Sequence, residues 1–121
     1  MIGVYMEDVL KKALEFSNYR QTLAIQRKTL KEKINQDLTY GFGGGIFKID
    51  RSLISFVQMM IDRGRTSDTP LLDVNDVPVM IPNMEQFRDE IMDRYFSTLY
   101  NYYERDQELR KSRSVEKLVG L

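Results

Sequence analysis

The sequence predicts an α+β fold in which two long helices bracket two short β-hairpins and a buried short helix. Three observations predict it. Residues 6–36 and 84–111 contain neither Pro nor Gly and are dominated by helix-compatible side chains. Between them lie two runs of alternating apolar residues, each interrupted by turn chemistry, Gly43-Gly44-Gly45 in the first and Asn75-Asp76 in the second. Separating those runs, residues 51–63 are apolar on nearly every side, as expected of a helix at the centre of its domain.

In the first helix, Val9, Phe16, Leu23 and Leu30 recur every seven residues, and Leu10, Ala13, Leu14 and Ile34 widen the seam. Arg20 and Arg27 interrupt it, so it is not a clean coiled-coil repeat. Residues 1–5 precede Met6-Glu7-Asp8 and are expected to be a flexible extension. In the first hairpin, Leu38, Tyr40 and Phe42 alternate with Thr39 and Gly41, and Ile46-Phe47-Lys48-Ile49 returns after the glycines. Asp50 is a suitable N-cap for the short helix and Gly64 a suitable stop. Residues 63–69 are expected to be a polar loop and residues 69–83 the second hairpin. Pro78 has no backbone donor, which puts its strand at a sheet edge. The two hairpins are expected to share one small antiparallel sheet.

Asn83 caps the last helix, and Glu85 suits its positive end. Residues 84–111 as one helix would be roughly 42 Å long, against a radius of gyration of about 13–14 Å for a compact chain of this size. The helix carries Phe87, Ile91, Tyr95, Phe96, Leu99, Tyr100, Tyr102 and Tyr103, which spread round more than one face. A break is expected at residues 112–114, leaving residues 112–121 as a short C-terminal helical tail with Val115, Leu118 and Val119. The whole of residues 1–121 is expected to be a single domain.

Composition narrows the function. Lys plus Arg and Asp plus Glu number 18 each, so the net charge is zero and the sequence-wide electrostatic case for nucleic acid is absent. There is no His, the usual base near neutral pH and the commonest metal ligand, and no Cys, hence no thiol nucleophile. No apolar run is long enough to span a membrane, and the first residues do not read as a signal peptide. The charges are segregated: residues 6–36 hold seven basic and four acidic residues, net +3, and residues 84–108 hold three basic and seven acidic, net −4. Opposite signs favour contact between long helices, within a chain or between chains.

Each candidate site has a simpler structural reading beside it. The glycine run could cradle phosphate, but a strand-like segment follows it instead of a helix start, so a hairpin turn is expected. Asp73-Val74-Asn75-Asp76 lacks the Gly and distant Glu of a calcium loop and reads as a capped turn. Glu85, Asp89, Glu90 and Asp93 stand among Arg88 and Arg94 and read as a charged helix face. Tyr95, Phe96, Tyr100, Tyr102 and Tyr103 could stack bases, but only Arg94 and Arg105 flank them; core or subunit interface suits them better. Arg110, Lys111, Arg113 and Lys117 suit the negative end of a helix or a partner contact. No catalytic, metal or cofactor site emerges. The expected partner-binding residues are Tyr95, Phe96, Tyr100, Tyr102 and Tyr103, with Arg20, Arg27, Lys28 and Lys31 on the first helix.

Several strings taken together carry a resemblance: NYRQTLAIQRK in the first helix, GGGIF followed by LISFV, DVNDVPVMI before the long helix, and the closing RSVEKLVGL. The chain resembles the small prohead-core proteins of T-even-type contractile-tailed phages and their cyanobacterial-virus relatives. That resemblance implies a non-enzymatic scaffold protein, self-associating and bound to other head proteins. It would work in the host cytoplasm during assembly and inside the prohead. The alternatives are a viral adaptor or inhibitor that binds a host protein and, less favoured, a weak single-stranded nucleic-acid binder.

Overall fold

A computed structural model describes the backbone of residues 2–118 and the side chains of residues 6–111. The elements are α1 (Ile2–Asp37), β1 (Thr39–Phe42), β2 (Gly45–Lys48), α2 (Arg51–Asp62), β3 (Ser67–Leu72), β4 (Pro78–Asn83) and α3 (Met84–Leu118). This is the helix–hairpin–helix–hairpin–helix order of the predicted α+β class. The chain groups into two compact units, Met1–Glu32 with Tyr102–Leu121, and Lys33–Asn101.

Both long helices exceed their predicted spans. α1 begins at Ile2, so residues 2–5 belong to the helix and do not form an extension before it. α3 runs through residues 112–114 to Leu118 without the predicted break. Ser is only mildly unfavourable inside a helix, and no Gly or Pro occurs after Asn83 until Gly120. The side chains of Arg113, Val115, Lys117 and Leu118, and all of Met1 and Val119, lie outside the described residues.

The first hairpin turns on Gly43 and Gly44, with φ of +57° and +81°. Two consecutive positive φ values make the tight turn that matches strand twist, and glycine adopts it without a Cβ penalty. The strands pair from Thr39 with Lys48 to Phe42 with Gly45. Gly45 answers a different need. A Cβ there would overlap the Val79 side chain and press on Asp73. Gly45→Ala is therefore expected to cost about 1–3 kcal/mol by overpacking. Gly41→Ala, whose Cβ would meet nothing nearer than 3.9 Å, serves as the control. Equal urea midpoints for the two variants would refute this close approach.

The hairpins do not share a sheet. β1 pairs only with β2, and β3 only with β4. Their link runs through the second hairpin's turn: the Ile46 N–H donates to Asp73 Oδ2 at 3.0 Å, and the Val74 N–H donates to the Ile46 carbonyl at 2.9 Å. A carboxylate thus stands where a further ladder bond would be needed. β3 also begins earlier than predicted, at Ser67, inside the expected polar loop.

The turn itself is capped as expected. Asp73 Oδ1 accepts from the Asn75 N–H at 2.8 Å and the Val77 N–H at 2.9 Å. The Asp73 N–H donates to the Val77 carbonyl. Bonded and non-bonded pairs alternate along an antiparallel ladder, and Leu72 faces Pro78 in the next pair. Counting on from there, Pro78 falls at an outward-facing position of β4, where a free edge would otherwise offer a donor. Such an edge resists strand addition.

α2 is capped at both ends by the residues expected. Asp50 Oδ1 accepts from the Leu53 N–H at 2.7 Å. At the other end Gly64, at φ +84°, donates its N–H to Ile61, and the Arg65 N–H reaches the Met60 carbonyl, the paired bonds of a glycine-terminated helix. Asn83 Oδ1 accepts from the Gln86 N–H and caps α3. The core of this unit joins Phe47 and Ile49, Val57 of α2, Leu71, Val79 and Ile81, and Met84, Phe87 and Ile91 of α3. α2 enters it along one face, with Leu53, Ile54, Met60 and Ile61 packed beside Val57, while Phe56 and Met59 remain about half exposed.

Candidate partner-binding surfaces

α3 has two faces with different fates. Met84, Phe87, Ile91 and Thr98 are buried and recur at helical spacing. Tyr95 packs against the core beside them, and Tyr102 is half-buried. Phe96, Leu99, Tyr100 and Tyr103 are 46%, 49%, 70% and 63% exposed. Phe96, Leu99 and Tyr100, at i, i+3 and i+4, make one stripe within Lys33–Asn101. The predicted aromatic belt therefore divides: Tyr95 packs on the core and Tyr102 is half-buried, whereas Phe96, Tyr100 and Tyr103 are exposed, as is Leu99, which was not among the expected partner-binding residues. The Tyr95 and Phe96 rings meet edge to face at 5.8 Å across the boundary.

Charge on α3 is handled locally. Arg88 pairs with Asp89, Arg94 with Glu90, Arg105 with Glu108 and Arg110 with Asp106, at 3.1, 2.7, 3.4 and 2.9 Å. Each of these four ion pairs joins two residues of this helix. Each exposed pair is worth about 0–1 kcal/mol at most. Asp93 and Glu104, close to the stripe, have no ion-pair partner among the described residues.

On α1, Arg20, Lys28 and Lys31 are exposed. The Arg20 guanidinium sits 5.8 Å from the centre of the Phe16 ring. Arg27 differs: it is half-buried, on the face that carries Leu23, Leu30 and Ile34, and its Nε is buried without a hydrogen-bond partner. Three of the four expected basic residues are thus exposed, and the fourth lies in the helix seam with Leu23, Leu30 and Ile34.

A second apolar surface was not anticipated. β2, α2 and the end of β3 border an open groove of about 590 Å³, lined by Leu53, Phe56, Leu72 and Val74 above Phe47. Phe56, Leu72 and Val74 are each about half exposed or more. One signal for it is present in the sequence. Leu71-Leu72 breaks strict alternation, so one of the two must face outward, and Leu72 does. Phe56 carried a weaker signal: Ser52, Ser55, Gln58 and Asp62 gather on one side of α2, and Phe56 stands at the border of that side, one turn from Ser52.

A smaller pocket of about 220 Å³ lies against Tyr40, Phe42, Pro82, Asn83, Gln86, Phe87 and Glu90. Two of its polar groups are engaged within the fold, Asn83 in capping α3 and Glu90 in its pair with Arg94. The Arg94 guanidinium in turn covers the Tyr40 ring at 4.4 Å. Among the described residues, no group of three or more acidic side chains is placed to hold a metal ion, and no helix is long and apolar enough to cross a membrane. Compared with family models, curated proteins and solved structures, the chain matches none of them, so its own surfaces carry the functional reading.

Proposed function

We propose that this protein is a non-enzymatic assembly component, a scaffold of the phage prohead core, that acts by self-association and by binding other head proteins. The observation that carries the reading is the exposed stripe of Phe96, Leu99 and Tyr100 on α3. Large apolar side chains gathered on one helix face lose water-exposed area when a partner covers them, and tyrosine suits such a surface because its hydroxyl stays solvated when the ring is free. Pro78 counts against association through the edge of β4. Nucleic acid is disfavoured on the same stripe, since Asp93 and Glu104 stand beside it. The setting in the prohead, with the host cytoplasm before it, rests on the sequence resemblance to prohead-core proteins.

Sedimentation velocity over a concentration series tests the reading. The wild-type protein is expected to gain mass with concentration. Tyr100→Lys, at a position 70% exposed, is expected to keep its fold and to raise the concentration needed for association at least tenfold, about 1.4 kcal/mol. A wild-type protein that stays monomeric throughout would instead support an adaptor that binds a single host protein.

A further inference from the structure

The two separate hairpins present four outer strand edges, and the edges are finished differently. On β3 and β4 the bond from the Asp73 N–H to the Val77 carbonyl fixes which backbone groups face each other and which face out. The outward positions of β3 include Asp68, whose φ of +45° leaves extended geometry, and Pro70, which has no donor. Pro78 closes β4 in the same way. On β2 the outward groups of Ile46 are already taken, its N–H by Asp73 Oδ2 and its carbonyl by the Val74 N–H.

β1 carries none of these devices. The two-residue turn makes Phe42 and Gly45 a bonded pair, and four residues on the Ile49 N–H donates to the Leu38 carbonyl at 2.7 Å. By alternation Thr39 and Gly41 turn their N–H and C=O groups away from β2. No backbone–backbone bond among the described residues reaches those groups. Both residues are exposed, and a Cβ on Gly41 would meet nothing nearer than 3.9 Å. Two donors and two acceptors thus stand open in a row, in the spacing that an extended backbone matches.

A pocket adjoins the same edge. The 220 Å³ pocket is walled by Tyr40 and Phe42 of β1 and by no residue of β2. A strand added to β1 sends alternate side chains to the face that carries Tyr40 and Phe42, and the one beside Tyr40 enters this pocket. Phe87 and Pro82 complete its apolar walls, while Asn83 caps α3 and Glu90 pairs with Arg94. The pocket's one carboxylate is therefore neutralised, and the side chain that fits is apolar. An apolar cavity of about 150 Å³ holds benzene, so there is room here for one leucine or phenylalanine.

We infer that the edge of β1 is a strand-addition site for an extended segment of another protein. The segment's backbone pairs with Thr39 and Gly41, and its inward apolar side chain fills the pocket beside Phe87. A second copy's β1 is a poor match, because its own Tyr40 and Phe42 are packed on its own Phe87, at 6.0 and 5.4 Å, and bring no free side chain to the pocket. This chain holds no spare extended segment either, since the described backbone is helical on both sides of the hairpins. The site shares no residue with the stripe on α3 and does not depend on self-association.

The probe is a short capped peptide that alternates threonine with leucine, titrated into isotope-labelled protein and followed by amide resonances. The Thr39 and Gly41 signals are expected to shift. Gly41→Pro is expected to weaken binding about tenfold or more, since it removes a donor and leaves a peptide carbonyl unpaired. The fold itself does not use that donor, so proline is tolerated there as on β4. Gly41→Ala keeps the donor and is expected to bind like wild type. Glycine in place of the peptide's leucines is expected to weaken binding by about tenfold as well, through the empty pocket. Thr39 and Gly41 signals that stay still at millimolar peptide, or equal binding by Gly41→Pro, overturn the site. So does a wild-type dimer that Gly41→Pro abolishes while the peptide has no effect, which assigns the edge to a second copy. Matching thermal melts establish that Gly41→Pro folds; if it melts early, Thr39→Pro, just past the end of α1, replaces it.

Discussion

Phe87→Ala is expected to cost about 3–5 kcal/mol of folding stability, the largest loss among the single substitutions considered. Phe87 is 2% exposed and lies in the core formed by β2, β3, β4, α2 and α3. Its ring meets Phe47 at 5.3 Å and 72°, Phe42 at 5.4 Å and 73°, and Tyr40 at 6.0 Å and 41°. The pairs with Phe47 and Phe42 are edge to face, and such pairs add about 0.5–1.5 kcal/mol each beyond the area they bury. Removing the ring takes away a group that β1, β2 and α3 share, and it enlarges the neighbouring 220 Å³ pocket that Phe87 helps to line. Phe96→Ala is the informative contrast, the same substitution nine positions along the same helix. On the exposed face it is expected to change stability by no more than about 0.5 kcal/mol and to weaken association instead. Urea unfolding and sedimentation together separate the two roles. Equal unfolding midpoints for the two variants would mean that the faces of α3 have been misassigned.

The features legible in the sequence are those decided within a few residues. Gly43 and Gly44 form the turn, Asp50 and Asn83 cap their helices, and Gly64 ends α2, because each choice depends on a local φ or a donor three residues away. The order of elements followed from them. The features missed depend on packing between distant segments. The sequence could not show that the two hairpins stay separate, since strand partners are set by competition across the whole chain. It could not separate Tyr95 from Phe96, because adjacent aromatic residues on a helix are equally apolar and only the neighbouring core decides which turns in. The groove was hidden for the same reason: Ser52, Ser55, Gln58 and Asp62 mark a polar side of α2, but whether another segment covers Phe56, at the border of that side, is decided by packing between distant segments. The extra length of α3 was missed because serine lowers helix propensity only slightly, and a weak local signal was read as a stop.

Asp73 shows how a local reading can be right and still incomplete, and it gives a second prediction. The turn chemistry of residues 73–77 predicted capping within the turn, which Oδ1 performs. The bond from Ile46, 27 residues away, is taken by Oδ2 and ties the first hairpin to the second. The Ile46 N–H is also the largest cause holding the Asp73 carboxyl below its usual pKa of 3.8. The Val77 N–H comes next, burial opposes it, and the Asn75 N–H adds to the lowering. A carboxyl whose native pKa lies below its unfolded one binds more protons when unfolded, so its contribution to stability rises with pH. That contribution is complete at neutral pH, shrinks as pH falls toward about 3.9, and is lost once pH passes below the native value. Asp73→Asn is expected to destabilise the protein at neutral pH although it is nearly the same size. Its oxygen can still cap Asn75 and Val77, but its NH₂ then faces the Ile46 N–H, donor against donor; flipping the amide restores that bond and leaves the two turn donors facing the NH₂ instead. Denaturant unfolding of the wild type and the variant between pH 7 and pH 3 should show a gap that is widest at neutral pH and narrows as the wild-type carboxylate is protonated. A gap that stays constant over that range would show that the charge on Asp73 does not join the hairpins, whatever the size of the destabilisation.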